Sequence, residues 1–293
     1  MGDMSDNVNV EDIKIAVLRI EGTNCEDETV RALRNLGVFA EAVHLKQFYS
    51  DMIKEKEKRN MKDYSGIVFP GGFSAGDYVR AGAIFSARVK SVLREDLEEF
   101  IRQGYPVLGI CNGFQILVEL GALPGFDEDK PLAETPEMVL AINNSNRFEC
   151  RQSLLKHENR GKCIFTKDLG VKVVMYPVAH AEGKVTFPST AEGVYIDRLV
   201  ENDQIVFRYV DDKGSYAGYP WNPNGSVYNI AGICNIKGNV FGLMPHPERA
   251  FFSWNHLDYP NLDYPNYPNK TALDEYGDGK IIFQSMIDYI RRL

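Results

Sequence analysis

The sequence predicts an α/β protein with a mostly parallel central sheet, helices flanking it, and an added antiparallel portion. Three observations carry that prediction. Apolar, β-branched runs alternate with helical stretches through residues 13–123, the order that builds parallel strands covered on both faces. Two of those runs, SGIVF and YPVLGI, feed glycine-containing turns. From residue 137 onward the pattern changes to short alternating segments, which favour antiparallel pairing.

The elements follow in order. IKIAVLRI (13–20) is a strand, after a polar tail at 1–12. EGTNCEDETVRALRNLG is helical, with Thr23 or Asn24 as N-cap, acids in the first turn and Gly37 at the C-terminal end. VFAEAVHL (38–45) is a second strand, the charged stretch 50–63 a solvated helix or loop, and SGIVFPGG (65–72) a buried strand entering a turn. One long helix is expected over 82–103 from Ile84, Val89, Leu93, Leu97 and Ile101. YPVLGIC (105–111) is a strand, NGFQILVELGAL a helix, and 125–137 an acidic surface loop. Strands are expected in EMVLAINNS, RFECRQSLL, CIFT, VKVVMYPVAH, QIVFRYV and YNIAGICN. The three Tyr-Pro pairs of 257–270 exclude a helix or central strand there. GKIIFQSMIDYIRRL is an amphipathic helix with Arg291 and Arg292 at its negative end. No linker divides the chain, so 13–293 reads as one domain.

Composition limits the function classes. The 293 residues are 44% hydrophobic and 25% charged, ordinary values for a globular protein. A formal charge of −8 argues against a general nucleic-acid binder. No apolar run reaches the length of a membrane span, and the N-terminus has neither the charge nor the apolar core of a signal peptide. The five cysteines show no C-x-x-C spacing, so neither a zinc site nor a redox pair is expected, and the cytoplasm is the expected compartment.

Three features carry chemistry. Gly109-Ile110-Cys111-Asn112-Gly113 stands between a strand and a helix, the arrangement of a nucleophile elbow with cysteine in place of serine. A thiol at a helix N-terminus is acidified, from near 8.5 to roughly 3.5–7.5. A buried structural thiol is the alternative for Cys111, and the reading preferred for Cys25, Cys150, Cys163 and Cys234. Next, His246 and Glu248 lie two residues apart in MPHPE, so in extended backbone they face the same way and Glu248 can orient the ring as a base. His180 and Glu182 in AHAEG repeat that spacing and rival the later pair on residue type alone. His44, His157 and His256 have no such partner and read as structural. Finally, Pro70-Gly71-Gly72-Phe73 follows a strand and offers unshielded backbone N–H groups that suit an oxyanion. A plain turn is the alternative, and no phosphate-binding glycine pattern is present.

In combination and order, PGG, GICNG and HPE resemble the triad (class I) glutamine amidotransferases. GTNCEDET, GGFSAGDYVRAGAI, GICNGFQILVELGALPG, NNSNRFECR, PVAHAEGK and GLMPHPERA narrow the resemblance to the glutamine-hydrolysing subunits of phosphoribosylformylglycinamidine synthases. It spans residues 13–253, most of the chain. The resemblance implies a flavodoxin-like fold and a thiol mechanism. Cys111 is then the nucleophile, His246 the base and later acid, and Glu248 its orienter. Backbone N–H groups of Gly71, Gly72 and Asn112 form the oxyanion hole, and Phe73 and Gln115 contribute to the glutamine pocket. His180 and Glu182 fall near a subunit interface or the ammonia exit. It further implies no metal or cofactor in this chain, with ATP and Mg on a large synthetase subunit that forms the complex, together with a small accessory subunit. The stretches 50–63, 125–137, 211–229 and 254–270 read as elaborations on the family pattern. A stand-alone cysteine hydrolase and a non-catalytic binding subunit are the competing functions.

Overall fold

Strands form where the sequence concentrates branched apolar residues, and their order sets the architecture. The computed structural model describes residues 8–170, 172–257 and 275–293. Eleven strands occur among these: β1 Lys14–Arg19, β2 Phe39–His44, β3 Gly66–Phe69, β4 Val107–Ile110, β5 Val139–Ile142, β6 Glu149–His157, β7 Val173–His180, β8 Glu182–Thr186, β9 Ile205–Val210, β10 Ile230–Cys234 and β11 Val240–Leu243. The helices are α1 Glu26–Arg34, α2 Ala83–Val92, α3 Arg94–Arg102, α4 Asn112–Leu120, α5 Glu192–Glu201 and α6 Lys280–Ile290.

Nine strands make one sheet in the order β2-β1-β3-β4-β11-β10-β9-β6-β7, and β5 pairs with β8 in a separate two-stranded sheet. From β2 to β11 every pairing is parallel. From β11 to β7 every pairing is antiparallel. The second half of the chain thus both extends the main sheet and adds a small one. Strands β3, β4, β10 and β11 are buried along their whole length, as uninterrupted apolar runs with both faces covered should be.

Several elements differ from the sequence expectation. Neither Thr23 nor Asn24 caps α1; Cys25 holds the N-cap position without a side-chain capping bond. Thr23 Oγ1 instead accepts the Ile20 N–H at 3.2 Å, which closes the turn before the helix. The helix expected over 82–103 is broken at Leu93, where φ −133° and ψ 10° end α2 and begin α3. Phe85, rather than Ile84, is the buried apolar residue of its first turn. The CIFT segment is a turn, not a strand: Cys163 and Phe165 are fully buried, yet the segment joins neither sheet. Its alternation records burial alone. The stretch 50–63 is loop with two short 3-10 turns, Glu55–Glu57 and Met61–Asp63. The Tyr-Pro segment lies outside the described residues from 258 on.

Candidate active site

The adjacent strands β3, β4 and β11 are in register at one edge of the sheet. Phe69 pairs with Gly109, and Ile110 pairs with Leu243. Beyond that edge the chain continues as Pro70-Gly71 from β3, Cys111 from β4 and Met244-Pro245-His246 from β11. Segments from distant parts of the sequence therefore meet at the carboxyl ends of parallel strands, where open α/β sheets bind ligands.

Cys111 has φ +52° and ψ −106° and is the N-cap of α4. That backbone is costly for a residue with a Cβ, by ~1–3 kcal/mol, and it persists because both sides are pinned. The Cys111 N–H donates to Leu243 O at 2.8 Å, and the Gln115 N–H to Cys111 O at 3.2 Å. Gly113 makes the tight turn possible, because a Cβ there would collide with the Phe69 carbonyl. The first amides of a helix have no intrahelical acceptor, and Cys111 stands at this N-terminal, partially positive end of α4.

The imidazole of His246 and the carboxylate of Glu248 are both buried, and Nδ1–H donates to Oε1 at 2.5 Å. Burial pushes the ring toward neutrality, but the Glu248 carboxylate and the Cys111 sulfur outweigh it and raise the His246 pKa to about 10. The proton is therefore held on the imidazole at neutral pH. Gly71 lies against this ring, with a Cβ there standing 2.8 Å from Cε1.

The earlier pair behaves differently. His180 Nδ1 meets Asn143 Oδ1 at 3.1 Å, while the Glu182 carboxylate accepts the Ala81 N–H at 3.1 Å. No His–Glu dyad forms there. Burial, reinforced by His246, lowers the His180 pKa to about 3, so this ring is neutral. At 3% exposure it lies inside the chain rather than on an open surface.

Gln115 is also inside. Its Nε2 donates to Glu182 O at 2.6 Å, and its Oε1 accepts from Asn112 Nδ2 at 2.9 Å. Asn112 Oδ1 in turn accepts the Ser74 hydroxyl at 2.6 Å. Both ends of the Gln115 amide thus brace the elbow against the turn after β3 and the start of β8. Phe73 is half exposed and lies beside Phe148, with ring centroids 6.1 Å apart.

Some contributors are invisible in sequence. Strand β7 crosses the site: the His246 N–H donates to Pro177 O at 2.8 Å, and Ala179 O lies 3.6 Å from Cys111 Sγ. Backbone carbonyls carry no residue signature, so no motif announces them. The 211–229 stretch is more than a surface elaboration, since Asn222, Asn224 and Ser226 are buried, and Ser226 Oγ accepts the Val185 N–H of β8. Cys150 is exposed, contrary to the buried reading, because its side chain points off the outer face of β6. Cys163 and Cys234 are fully buried. His157 is structural as expected, bonded to Gly170 O and Thr166 Oγ1.

A thiol on a strained strand-to-helix turn, facing a carboxylate-supported imidazole, defines the class of cysteine-dependent acyl-transfer enzymes. Sequence comparison gives the family. Residues 12–290 match the CobB/CobQ-like glutamine amidotransferase domain. Phosphoribosylformylglycinamidine synthase subunit PurQ of Archaeoglobus fulgidus is 69% identical over 97% of this chain and 99% of its own. The PurQ subunit of Methanococcus maripaludis is 40% identical over 95% and 98%. A chain in the structure of PurLQS from Thermotoga maritima superposes with TM-score 0.65 at 29% identity, covering 95% of this chain and 99% of that one. The chain belongs to the glutamine amidotransferase family, in the branch of the PurQ subunits.

Proposed function

We propose that this chain is the glutaminase subunit of a phosphoribosylformylglycinamidine synthase. It hydrolyses L-glutamine and supplies ammonia to a separate synthetase subunit that converts formylglycinamide ribonucleotide to formylglycinamidine ribonucleotide in purine biosynthesis. The single observation that carries the chemistry is the His246–Glu248 pair, 2.5 Å apart and buried, beside a cysteine strained into the elbow geometry. The 69% identity to a PurQ subunit supports the pathway.

The steps follow from the geometry. The Cys111 thiolate attacks the side-chain amide carbon of glutamine, forming a C–S bond and a tetrahedral oxyanion. Backbone N–H groups of Gly71, Gly72 and Asn112 hold that oxyanion. His246, protonated, gives its proton to the amide nitrogen as the C–N bond breaks, and ammonia leaves. His246 then takes a proton from water, whose oxygen attacks the thioester; the C–S bond breaks and glutamate is released. Glu248 keeps the ring oriented and stabilises its charge throughout. Gln115 acts through Asn112 rather than on substrate, and Phe73 stands at the rim of the glutamine pocket. His180 and Glu182 border the route by which ammonia leaves.

The large synthetase subunit is the principal partner and a small accessory subunit the second, a reading supported by the kinship to the PurLQS chain. ATP and Mg belong to the synthetase, and this chain needs no cofactor of its own. We read residues 13–293 as one domain. Five free thiols support work in the cytoplasm.

The test is glutamate release from glutamine by wild type and Cys111→Ala, alone and with the synthetase subunits, ATP and nucleotide substrate. Release that is accelerated in the complex and lost in the variant is the expected result. Wild type that never consumes glutamine would leave a binding subunit in its place, and full activity without any partner a stand-alone hydrolase.

A further inference from the structure

Cys25 has no part in the steps above, yet it is a near neighbour of the site. It stands at the start of α1, buried, and the Arg249 Nη2–H group donates to its sulfur at 3.1 Å. One ligand atom each from Cys25, His246 and Glu248 lies within 4.8 Å of the other two. All three residues are buried. Among the described residues, the second carboxylate oxygen of Glu248 has no hydrogen-bond partner. Thiolate, imidazole and carboxylate are the donor set that divalent zinc takes up. Ligands bound tetrahedrally to zinc stand roughly 3.5 Å apart, so the three side chains, now within 4.8 Å of one another, have only a short distance to adjust. Glu28 accepts three contacts from Arg249 at 2.8–3.1 Å and can hold the guanidinium when a cation takes its place on the Cys25 sulfur.

We propose that Cys25, His246 and Glu248 form a reversible inhibitory site for a thiophilic divalent cation, with zinc the representative ion. Three protein ligands leave one position open, the pattern of exchangeable rather than structural zinc. Binding releases two protons, one from the Cys25 thiol and one from the His246 imidazolium, whose vacated ring nitrogen takes the metal. A metal-bound imidazole retains no nitrogen free to accept a proton at neutral pH, so glutamine hydrolysis stops until the metal leaves. This regulation rests on the glutaminase reading, but the site itself does not.

Two measurements test it. The first uses no glutamine: zinc competition against a chromophoric chelator, and cobalt substitution read as a thiolate-to-cobalt absorption band, in Cys111→Ala. One tight site with the thiolate band is expected, absent when Cys25→Ser is added. Equal binding by the double variant overturns the proposal. The second measures zinc inhibition of glutamate release in the synthetase complex. Wild type and Cys25→Ser are expected to be comparably active in chelator-treated buffer, and the serine variant to need about tenfold or more zinc for half-inhibition. Equal sensitivity would place the ion on Cys111 and His246 instead and end the proposal. Because the first measurement needs no turnover, it decides whether the metal site exists even if the glutaminase reading fails.

Discussion

The two halves of the main sheet divide the work of the site. The parallel half, β2 to β11, carries the residues assigned to the reaction: its neighbouring strand ends bear the glycine turn, the thiol and the imidazole. The antiparallel half, β10 to β7, delivers walls and carbonyls. Pro177 O fixes the backbone of His246, and Ala179 O faces the Cys111 sulfur. The same residue type behaves differently in each. Burial pushes both rings toward neutrality; Glu248 and the Cys111 sulfur outweigh it at His246, whereas at His180 burial prevails, reinforced by His246. Burial alone does not set a histidine's charge, and the charged groups beside it decide.

Predictions that break or sharpen this contrast begin with the parallel half. Cys111→Ala removes the nucleophile, and glutamate release should fall by about 10³-fold or more; residual turnover within tenfold of wild type would remove the thiol from the mechanism. Glu248→Gln keeps the shape but withdraws the charge that supports the imidazolium, so a loss of about 10²-fold or more in kcat is expected with KM little changed. A pure KM effect would move Glu248 into substrate binding.

Gly113→Ala tests the packing that aims the elbow. The added methyl meets the Phe69 carbonyl, and forcing α4 off β3 should cost about 1–3 kcal/mol, read as a lowered Tm. An unchanged Tm would show that the helix has room to shift.

His180→Gln tests the antiparallel half through pH. The ring ordinarily titrates near 6.5 but at about 3 in the fold, so below 6.5 the unfolded chain binds a proton that the folded chain refuses. Its contribution is complete above pH 6.5 and is lost as pH falls from there toward 3. Denaturant unfolding across that window should show a shallower loss for the glutamine variant; parallel curves would mean that His180 is solvated. The smallest effect belongs to Cys150→Ser, exposed on β6, which should change stability by no more than about 0.5 kcal/mol and remove the thiol that reacts fastest with a maleimide in the folded protein.

The same division explains what is legible in the sequence. Elbow, glycine turn and His-Pro-Glu are each contiguous, and each follows an apolar strand, so local pattern locates Cys111, Gly71 and His246. Two pairs with the same His-x-Glu spacing cannot be separated by residue type, because the difference lies in Asn143, supplied after a different strand. The break at Leu93 is hidden because the helical apolar spacing continues across it and no glycine or proline marks it. Cys25 is unreadable for a similar reason: its neighbours His246 and Arg249 come from the other end of the chain, and spacing reports only ligands that are close in sequence. Nearness to Cys111 places Gln115 by the substrate, yet its amide is committed to Asn112 and Glu182.

The most direct test of the central claim, that the ends of β3, β4 and β11 assemble the reacting groups, is to trap the acyl-enzyme. His246→Ala and His180→Ala complexes would be quenched after mixing with glutamine, and the glutamyl adduct on Cys111 measured by mass spectrometry. The account predicts that the thioester fails to form in His246→Ala and still forms in His180→Ala. Formation in the first and loss in the second would contradict it and assign the base to β7.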